Sequence, residues 1–253
     1  MEMQYTLVIM EEKTRQALLR INRQFYDRFA GSFSATRGRV QSGVRRLMSK
    51  MASCEFVLDV GCGNGTLARA LAGRQFAGRY LGVDMSSSLL SAARELLDVP
   101  EQGEYVFQEA DLTAPGWAED LPFGPYDWLV SFAVLHHLPG EDMRRQTAKA
   151  FSQLIHPEGT IAVSVWQWQN SPRLRKRVVP WGEAGIDPSA LDEGDVLLDW
   201  RAEQQAGLRY VHTFTDVSLT VLAESAGFSV RESFYSDGNT GDLALYQIWQ
   251  KGS

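Results

Sequence analysis

Residues 57–65 read V-L-D-V-G-C-G-N-G, and this stretch limits the possible folds of the chain more than any other. Three apolar residues around one acid, Asp59, predict a buried strand, and glycine at every second position after it predicts a tight turn. Residues 66–71 continue with the pattern of a helix. Because glycine has no Cβ, such a turn lets a ligand approach the backbone closely. A tight turn that binds nothing is the alternative.

The position of Asp59 bears on the charge of that ligand. A dinucleotide fingerprint, G-x-G-x-x-G, seats a pyrophosphate on the helix N-terminus. Here the third glycine comes one residue early, and Asp59 stands two residues before the first glycine, Gly61. A carboxylate there would repel a pyrophosphate but suits a cationic ligand with an amino group. S-adenosylmethionine, which carries a sulfonium and an ammonium, is such a ligand.

Two further acids follow predicted strands. Residues 80–84 read Y-L-G-V-D and end at Asp84, at about the 20-residue spacing where α/β nucleotide folds place an acid on ribose hydroxyls. Asp111 comes after a third predicted strand around residues 105–107. The carboxyl ends of parallel strands line one crevice in this architecture. The three strand ends therefore predict one adenosine-binding crevice.

The alternation of strand and helix patterns along the chain predicts parallel strands with right-handed crossovers. Predicted strands cover residues 55–60, 79–84, 104–108, 126–132, 159–166, 228–235 and 243–250. Predicted helices cover residues 64–72, 87–97, 141–155 and 215–226, and two amphipathic helices precede them, marked by Leu18, Ile21, Phe25 and Phe29 and by Val40, Val44 and Leu47. The turn S-D-G-N-T-G joins the last two strands into a hairpin, so the sheet should contain one antiparallel strand.

With these motifs, residues 55–165 resemble the class I S-adenosylmethionine-dependent methyltransferases. The resemblance implies an α/β, Rossmann-like fold in which a mostly parallel seven-stranded sheet has one antiparallel strand and helices on both faces. We expect one methyltransferase domain over residues 1–253. Its helical segment 1–52 would cover the cofactor site, and the less periodic residues 167–212 would form an insertion or lid.

The resemblance also implies a set of cofactor contacts. Asp59 would bind the amino group of S-adenosylmethionine, the glycines would wrap its methionine part, Asp84 would hold the ribose hydroxyls and Met85 would cover an adenine face. The alternatives are core packing for Met85 and a helix N-cap for Asp84. The expected cofactor-binding residues are Asp59, Gly61, Cys62, Gly63, Asn64, Gly65, Asp84, Met85, Asp111, Leu112, Phe132, Ala133 and Arg37.

A narrower resemblance rests on four short matches in order: F-S-A-T-R at residues 33–37, V-W at 165–166, G-D-V at 194–196 and R-Y-V-H-T-F at 209–214. They resemble the tRNA wobble-uridine methyltransferases that esterify 5-carboxymethyluridine, a family that includes the methyltransferase domain of AlkB-like protein 8. The chain departs from that family at residues 198–200, where L-D-W replaces an apolar-Pro-Trp, and at Thr240, which replaces an aromatic.

The residues available for chemistry fit an acid acceptor. A carboxylate is already a nucleophile at neutral pH, so its esterification requires orientation and no general base. The predicted catalytic residues are Arg37 with His136 or His137, of which only one histidine can face the crevice. The predicted substrate contacts are Trp166, by stacking on a base, and Tyr26. Arg37 pairing with the cofactor carboxylate and core packing of Trp166 are the alternatives.

Charge is distributed unevenly along the chain. Within the net charge of −6, residues 1–50 hold ten Lys and Arg against four Asp and Glu, while the remainder holds 15 against 27. A second basic cluster contains Arg173, Arg175, Lys176 and Arg177. A basic face on an acidic body is compatible with tRNA as a partner, and a solvated helix face is the alternative.

Cys54 and Cys62 are the only cysteines, and a disulfide between them would distort the predicted turn, so we expect a reducing, cytoplasmic location. No apolar run predicts a membrane span, and the first residues do not read as a secretory signal. No metal-ligand cluster is evident. The narrower resemblance implies a small zinc-binding partner protein.

Three hypotheses therefore stand at the level of sequence. The first is a methyltransferase for a carboxylate-bearing wobble uridine of tRNA, favoured by the ordered matches and the basic first segment. The second is a methyltransferase for a small metabolite, favoured by the acidic total charge and the departures at residues 198–200 and Thr240. The third is a cofactor-binding domain without catalysis, which the complete set of cofactor residues disfavours.

Overall fold

The computed structural model describes residues 10–36, 39–51, 53–202 and 205–252. The strands are β1 (Phe56–Val60), β2 (Arg79–Asp84), β3 (Glu104–Glu109), β4 (Tyr126–Phe132), β5 (Ile155–Trp166), β6 (Asp195–Ala202), β7 (Gln205–His212), β8 (Phe228–Ser236) and β9 (Ala244–Lys251). The α-helices are α1 (Glu12–Thr36), α2 (Ser42–Met51), α3 (Thr66–Ala72), α4 (Ser87–Leu96), α5 (Glu141–Leu154), α6 (Pro172–Arg175) and α7 (Asp216–Ser225). Short 3-10 turns span Leu135–His137, Trp168–Asn170, Trp181–Ala184 and Pro188–Ala190.

Seven strands form one sheet in the order β3-β2-β1-β4-β5-β9-β8. Strands β3, β2, β1, β4 and β5 pair in parallel, whereas β9 is antiparallel to both of its neighbours, β5 and β8. The predicted mostly parallel sheet with one antiparallel strand is therefore confirmed. A dinucleotide-binding sheet would be parallel throughout. None of the described helices is both long and apolar enough to span a membrane.

Side-chain alternation along the strands divides the core between the two faces of the sheet. Leu58 and Val60 of β1 belong to a buried cluster with α5 and α7, while Val57 belongs to a second buried cluster with α2, α3 and α4. Successive residues of a strand point to opposite faces, so a strand buried on both sides reads as continuously apolar. Helices accordingly cover both faces, as the sequence predicts.

The hairpin turn between β8 and β9 fixes the start of α2. The Asp237 carboxylate accepts a hydrogen bond from the Gly43 backbone N–H at 2.9 Å and from the Tyr246 hydroxyl at 2.7 Å. A Cβ at Gly43 would lie 2.3 Å from Cε2 of Tyr246. Helix α2 therefore packs directly on the tyrosine ring, and only glycine allows that approach.

Residues 167–212 contain more regular structure than their sequence pattern predicts. Strands β6 and β7 pair antiparallel in a separate two-stranded sheet, with Asp195 opposite His212. The Asp195 carboxylate accepts hydrogen bonds from the His212 Nδ1 at 2.8 Å and the Tyr210 hydroxyl at 2.9 Å. Burial lowers the pKa of His212. Nearby, Arg144 of α5 donates to Asp192 at 2.7 Å, which ties the base of the hairpin to the main domain.

Two predicted boundaries shift for identifiable reasons. Helix α3 begins at Thr66, not at residue 64, because Gly65 adopts a left-handed conformation at φ +72° and acts as the N-cap. Strand β5 begins at Ile155, four residues earlier than predicted. Its pairing with β4 starts at Tyr126–Ile155 and resumes at Trp128–Thr160, so the strand accommodates an irregularity that the sequence pattern reads as a loop.

We predict that Gly43→Ala destabilises the protein by about 1–3 kcal/mol, because the added methyl overpacks the Tyr246 ring. Thermal unfolding measures this as a lower midpoint. Gly182→Ala is the control, since a Cβ there meets no atom within 4 Å and its effect should stay within about 0.5 kcal/mol. Equal midpoints for the two variants would contradict the packing argument.

Candidate cofactor and acceptor site

A cavity of about 450 Å³ opens at the carboxyl ends of β1, β2, β4 and β5, with α1 and the start of α2 on its outer side. Its volume lies within the range of about 300–1,000 Å³ that small-molecule and cofactor sites occupy. The predicted site residues that line it are Tyr26, Asp59, Gly61, Cys62, Gly63, Asn64, Asp84, Met85, Asp111, Leu112, Phe132, Ala133, His137 and Trp166. Arg37 lies outside the described residues.

The glycine turn forms the floor of the cavity. Gly61 has φ +81° and donates its N–H to the Val83 carbonyl at 2.7 Å, and a Cβ there would lie 2.3 Å from Cγ2 of Val134. Gly63 has φ +55°, and a Cβ there would meet no atom within 4 Å. Gly61 is therefore required for packing, whereas a side chain at Gly63 would occupy open space in the cavity.

Gly65 does not line the cavity; it allows two helices to pack closely. A Cβ there would lie 2.9 Å from Cβ of Ala93, so the absence of a side chain lets α3 begin close to α4. The regular spacing of the three glycines does not show this difference: Gly61 faces Val134, Gly63 faces open space and Gly65 faces Ala93.

Asp59 is a buried acid at the end of the central strand. It is 4% exposed, and its Oδ2 accepts a hydrogen bond from the Tyr80 hydroxyl at 2.5 Å. Burial raises the pKa of Asp59 from 3.8 to about 7; the Tyr80 hydrogen bond opposes the shift, and the nearby Asp84 adds to it. A buried carboxylate with a raised pKa is stabilised in its charged form by a cation at close range.

Asp84 joins the first and second strand–helix turns. Its Oδ2 accepts the Gly63 N–H and its Oδ1 accepts the Ser86 N–H, both at 2.9 Å. Ser86, not Asp84, caps helix α4, because its Oγ accepts the Leu89 N–H. Burial raises the pKa of Asp84, and its backbone hydrogen bonds oppose the rise. Each carboxylate oxygen has a second lone pair, so both can still accept a hydroxyl hydrogen.

Helix α1 closes the side of the cavity that Asp111 lines. Arg23 of α1 donates to the Asp111 Oδ2 at 2.9 Å, while the Asp111 Oδ1 accepts from the Thr113 backbone N–H and hydroxyl. The side chains of Arg23 and Asp111 are 58% and 32% exposed, so this ion pair contributes little to the stability of the fold. It fixes the position of α1 relative to Asp111.

The two adjacent histidines have different surroundings. His136 is fully buried, and its Nδ1 accepts the Trp166 backbone N–H at 3.3 Å. His137 lines the cavity. The two rings lie next to each other, with centroids 4.2 Å apart, but only His137 lines the cavity. His136 therefore has no part in the chemistry proposed below.

His137 belongs to a cluster built from three distant segments. Its Nε2 lies 2.8 Å from the Tyr26 hydroxyl on α1 and 2.7 Å from an Arg209 guanidinium nitrogen on β7. The same Arg209 nitrogen donates to the Tyr26 hydroxyl at 2.5 Å. Arg209 is 3% exposed, and its guanidinium carbon lies 4.9 Å from the centroid of the Trp166 ring. A buried cation therefore stands directly behind two cavity-lining polar groups.

The contacts of His137 define its tautomer. Arg209 can only donate, so the Nε2 next to it is the acceptor and carries no hydrogen. The Nδ1 lies 3.2 Å from the Tyr210 carbonyl, which can only accept, so Nδ1 carries the hydrogen. Asn22 holds both partners in place by donating to the His137 carbonyl and accepting the Tyr210 N–H.

Arg209 is a functional candidate to which the sequence pattern assigns no role. Its signal is present in the R-Y-V-H-T-F match at residues 209–214, but the pattern does not show that β7 packs against α1. Arg28 of α1 donates to the Ala206 carbonyl at 2.6 Å, and the Trp200 ring packs edge-on against Phe25. These contacts between the hairpin and α1 bring Arg209 to the cavity.

Ala133 holds an unusual backbone conformation at the cavity wall. Its φ is +60°, and its N–H donates to the Ser164 carbonyl at 3.0 Å and lies 3.1 Å from the Ser164 Oγ. A left-handed conformation costs a non-glycine residue about 1 kcal/mol or more, and such strain concentrates at functional sites. Here it ends β4 abruptly and turns the chain toward His137.

The arrangement fits S-adenosylmethionine. The buried carboxylate of Asp59 matches the ammonium group, and the open space at Gly63 admits a ligand against the backbone. Asp84 retains acceptor capacity at the end of β2, where a ribose would lie. The Asn64 Nδ2 is buried and has no hydrogen-bond partner among the described residues, so the site also has an unused donor.

Comparison with known proteins agrees with this geometry. The family model described as a methyltransferase domain matches residues 26–233. A methyltransferase of Encephalitozoon cuniculi is 28% identical over 232 residues, covering 90% of this chain and 94% of that protein. The tRNA (carboxymethyluridine(34)-5-O)-methyltransferase of Schizosaccharomyces pombe is 27% identical over 230 residues, covering 85% and 92%. The mouse enzyme of that name, ALKBH8, is 24% identical over 71% of this chain, which spans only 26% of its length.

Solved structures share the fold. A SAM-dependent methyltransferase from Methanosarcina mazei superimposes with a TM-score of 0.61 at 18% identity, covering 84% of this chain and 98% of that one. A methyltransferase in complex with the Haloferax volcanii Trm112 methyltransferase activator gives 0.60 at 18% identity, covering 90% and 96%. The chain belongs to the methyltransferase-domain family and is an S-adenosylmethionine-dependent methyltransferase.

Proposed function

We propose that this methyltransferase esterifies a carboxylate on a modified uridine of tRNA. The observation that carries the proposal is the cluster of Tyr26, His137 and Arg209, which gives the acceptor side of the cavity a buried positive charge. The opposite side is acidic, with Asp59 and Asp84. A cavity divided in this way suits a cationic methyl donor and an anionic methyl acceptor.

The cofactor side orients the methyl donor. When bound, S-adenosylmethionine supplies an electrophilic methyl group on a sulfonium. Asp59 would pair with the ammonium of its methionine part, Asp84 would accept hydrogen bonds from the ribose hydroxyls, and Met85 would pack on the adenine. The backbone at Gly61 and Gly63 allows the close approach that their missing side chains permit. These residues position the donor and take no part in proton transfer.

The acceptor side orients an incoming carboxylate. The Nε2 of His137 has a single lone pair, which Arg209 can fill, and the Tyr26 hydroxyl hydrogen can then be donated to an oxygen in the cavity. The guanidinium charge behind both groups stabilises the anion electrostatically. His137 need not remove a proton, because a carboxylate oxygen is already a nucleophile: its bond to the methyl group would form as the methyl–sulfur bond breaks, which would leave the neutral thioether S-adenosylhomocysteine. In this proposal catalysis comes from alignment and exclusion of water.

Two observations support a uridine as the acceptor: an aromatic side chain in the cavity and the names of relatives. Trp166 lines the cavity beside this cluster, where its indole can stack on an unpaired base. Relatives that this chain matches over most of its length carry the name of a tRNA carboxymethyluridine methyltransferase. In the proposal, the hairpin within residues 167–212 lies behind the acceptor site, where its Arg209 contacts Tyr26 and His137.

A small metabolite with a carboxylate is the second candidate acceptor. The net charge of −6 disfavours a polyanion over most of the surface. Two positions also differ from the tRNA-modifying family. Asp199 is the acceptor of an ion pair with Arg177 at 3.4 Å, and Thr240 is an exposed turn residue bonded to Asp242. Asp199 stands where that family has a proline, and Thr240 does not provide the ring surface for a base that an aromatic residue would.

We also propose that the protein acts with a small zinc-binding activator, as its resemblance to the tRNA-modifying family implies. The complex of the Haloferax volcanii Trm112 activator with a methyltransferase of the same fold supports this proposal. Methyl transfer measured with and without such an activator tests it. An identical rate in both reactions would exclude activation.

We predict that cofactor affinity falls as the pH decreases from about 8 to about 5.5. The pKa of Asp59 is about 7 in the free protein, so acid progressively removes the negative charge that pairs with the cofactor ammonium. The affinity should fall by up to about tenfold per unit below that pKa, as one proton competes with one ligand. Calorimetry with S-adenosylhomocysteine, which carries the same ammonium, measures it.

Two variants isolate the titrating group in that experiment. Asp59→Asn should bind weakly with no pH dependence in this range. Tyr80→Phe removes the hydrogen bond that favours the ionised carboxylate, so the midpoint of the titration should move to higher pH. A pH-independent affinity for the unmodified protein, or the same midpoint in Tyr80→Phe, would refute the role of Asp59.

We predict that isotope from methyl-labelled cofactor enters bulk tRNA and is released by mild alkali, because a methyl ester hydrolyses whereas N-, C- and ether-linked methyl groups do not. Tyr26→Phe and Arg209→Gln should each lower kcat/KM for tRNA by roughly 10- to 150-fold, since each removes a hydrogen bond involving a charged group. S-adenosylhomocysteine affinity should stay unchanged in Tyr26→Phe.

Parallel reactions separate the candidate acceptors. Label in a small-molecule extract, with none in tRNA, would favour the metabolite hypothesis and overturn the tRNA proposal. Alkali-stable label in tRNA would retain the partner but exclude a carboxylate acceptor. His136→Gln serves as the control for the neighbouring histidine, because His136 does not line the cavity and its Nδ1 acceptor is replaced by an amide oxygen.

A further inference from the structure

A second, smaller depression adjoins the cofactor cavity on the surface that α2 and α3 form. This cleft, of about 400 Å³, is lined by Arg39, Arg45 and Arg74 and by Val40, Met48 and Ala70. Three guanidinium groups therefore surround an apolar floor. We refer to it below as the arginine cleft.

The three arginines of the arginine cleft differ from their neighbours on α2. Arg46 and Lys50 both pair with Glu232 of β8, at 2.5 and 3.0 Å. No described carboxylate lies within salt-bridge distance of Arg39, Arg45 or Arg74. Arg45 is oriented by a hydrogen bond to the Val40 carbonyl at 3.2 Å. Glu232 of β8 thus pairs with two basic residues of α2, whereas Arg45 of the same helix lines the cleft.

This separation of charge has an electrostatic consequence. Residues 51–253 carry 27 acids against 15 bases, so carboxylates are abundant on the rest of the chain. Three cations around one cleft repel each other, and an anion placed among them removes that repulsion. The guanidinium fork matches the oxygens of a phosphate, and the apolar floor of Val40, Met48 and Ala70 suits a sugar or a base. Both chemical features occur together in a nucleotide.

The arginine cleft adjoins the cavity that contains the proposed acceptor site. Arg39 and Val40 line both the cleft and the cofactor cavity. We propose that the arginine cleft binds the phosphodiester backbone of RNA at a nucleotide next to the one that accepts the methyl group. This inference rests on the proposed function, because it requires a tRNA substrate, and it assigns the backbone contact to Arg45 and Arg74.

The test is the double substitution Arg45→Ala/Arg74→Ala, because neither residue lines the cofactor cavity. Binding of bulk tRNA is measured between about 50 and 200 mM salt, and S-adenosylhomocysteine calorimetry checks the fold. We expect tRNA affinity to fall roughly tenfold or more near physiological salt. The slope of log K against log salt should become shallower by about 1.4–1.8, because each phosphate that is no longer neutralised removes about 0.7–0.9. Cofactor affinity should stay unchanged.

The matched control is Arg46→Ala/Lys50→Ala, which removes the same number of positive charges from two groups that share an ion pair with Glu232. It should change tRNA affinity much less. An equal loss in the control would show that only the total charge matters and would overturn the arginine cleft. Unchanged tRNA binding in Arg45→Ala/Arg74→Ala would overturn it while leaving the proposed function intact.

Two further outcomes separate the cleft from the proposed function. If the unmodified protein neither binds nor methylates tRNA, the proposed function fails and the arginine cleft fails with it. If the double variant binds tRNA normally but no longer binds an acidic protein activator, the cleft is a protein-docking surface, which also overturns the inference.

Discussion

The buried carboxylate of Asp59 is the constraint around which the ligand site is organised. A charged group that is 4% exposed at the end of the central strand requires compensation, and within the described chain the Tyr80 hydroxyl supplies a single short hydrogen bond. The pKa of Asp59 is raised because this hydrogen bond offsets only part of the effect of burial. A ligand ammonium completes it, so the binding of a cationic cofactor relieves a cost that the fold itself creates.

The parallel strands bring further polar groups to the same edge of the sheet as Asp59. Val83 of β2 accepts the N–H groups of Gly61 and Cys62, which holds the glycine turn against the neighbouring strand. Asp84 then bridges back to Gly63. Adjacent parallel strands thus build the cofactor side from short, local hydrogen bonds. The acceptor side has no such local basis, because Tyr26, His137 and Arg209 lie 111 and 72 residues apart in sequence.

This difference explains what can be predicted from the sequence. The sheet, its antiparallel strand, the cofactor-site acids and the glycine turn follow from spacings within single strand–turn–helix units. The hairpin of β6 and β7 does not follow from such a unit. Its two strands form a separate sheet that packs on α1, and charged residues such as Asp199 interrupt their apolar pattern. Sequence spacing also groups Gly65 and His136 with the site, since it shows the turn but not the side of it that each residue faces.

The same division determines how acceptor specificity can change in this fold. Substitutions on the hairpin or at Tyr26 of α1 alter the positively charged cluster without changing the hydrogen bonds of Asp59 and Asp84. The departures at residues 198–200 and at Thr240 lie on the hairpin and on the turn that holds α2, outside the strand ends that bind the cofactor. A chain can therefore retain its methyl donor while its acceptor changes. In the proposed site, contacts between distant segments recognise the acceptor, and a motif search within one segment cannot identify it.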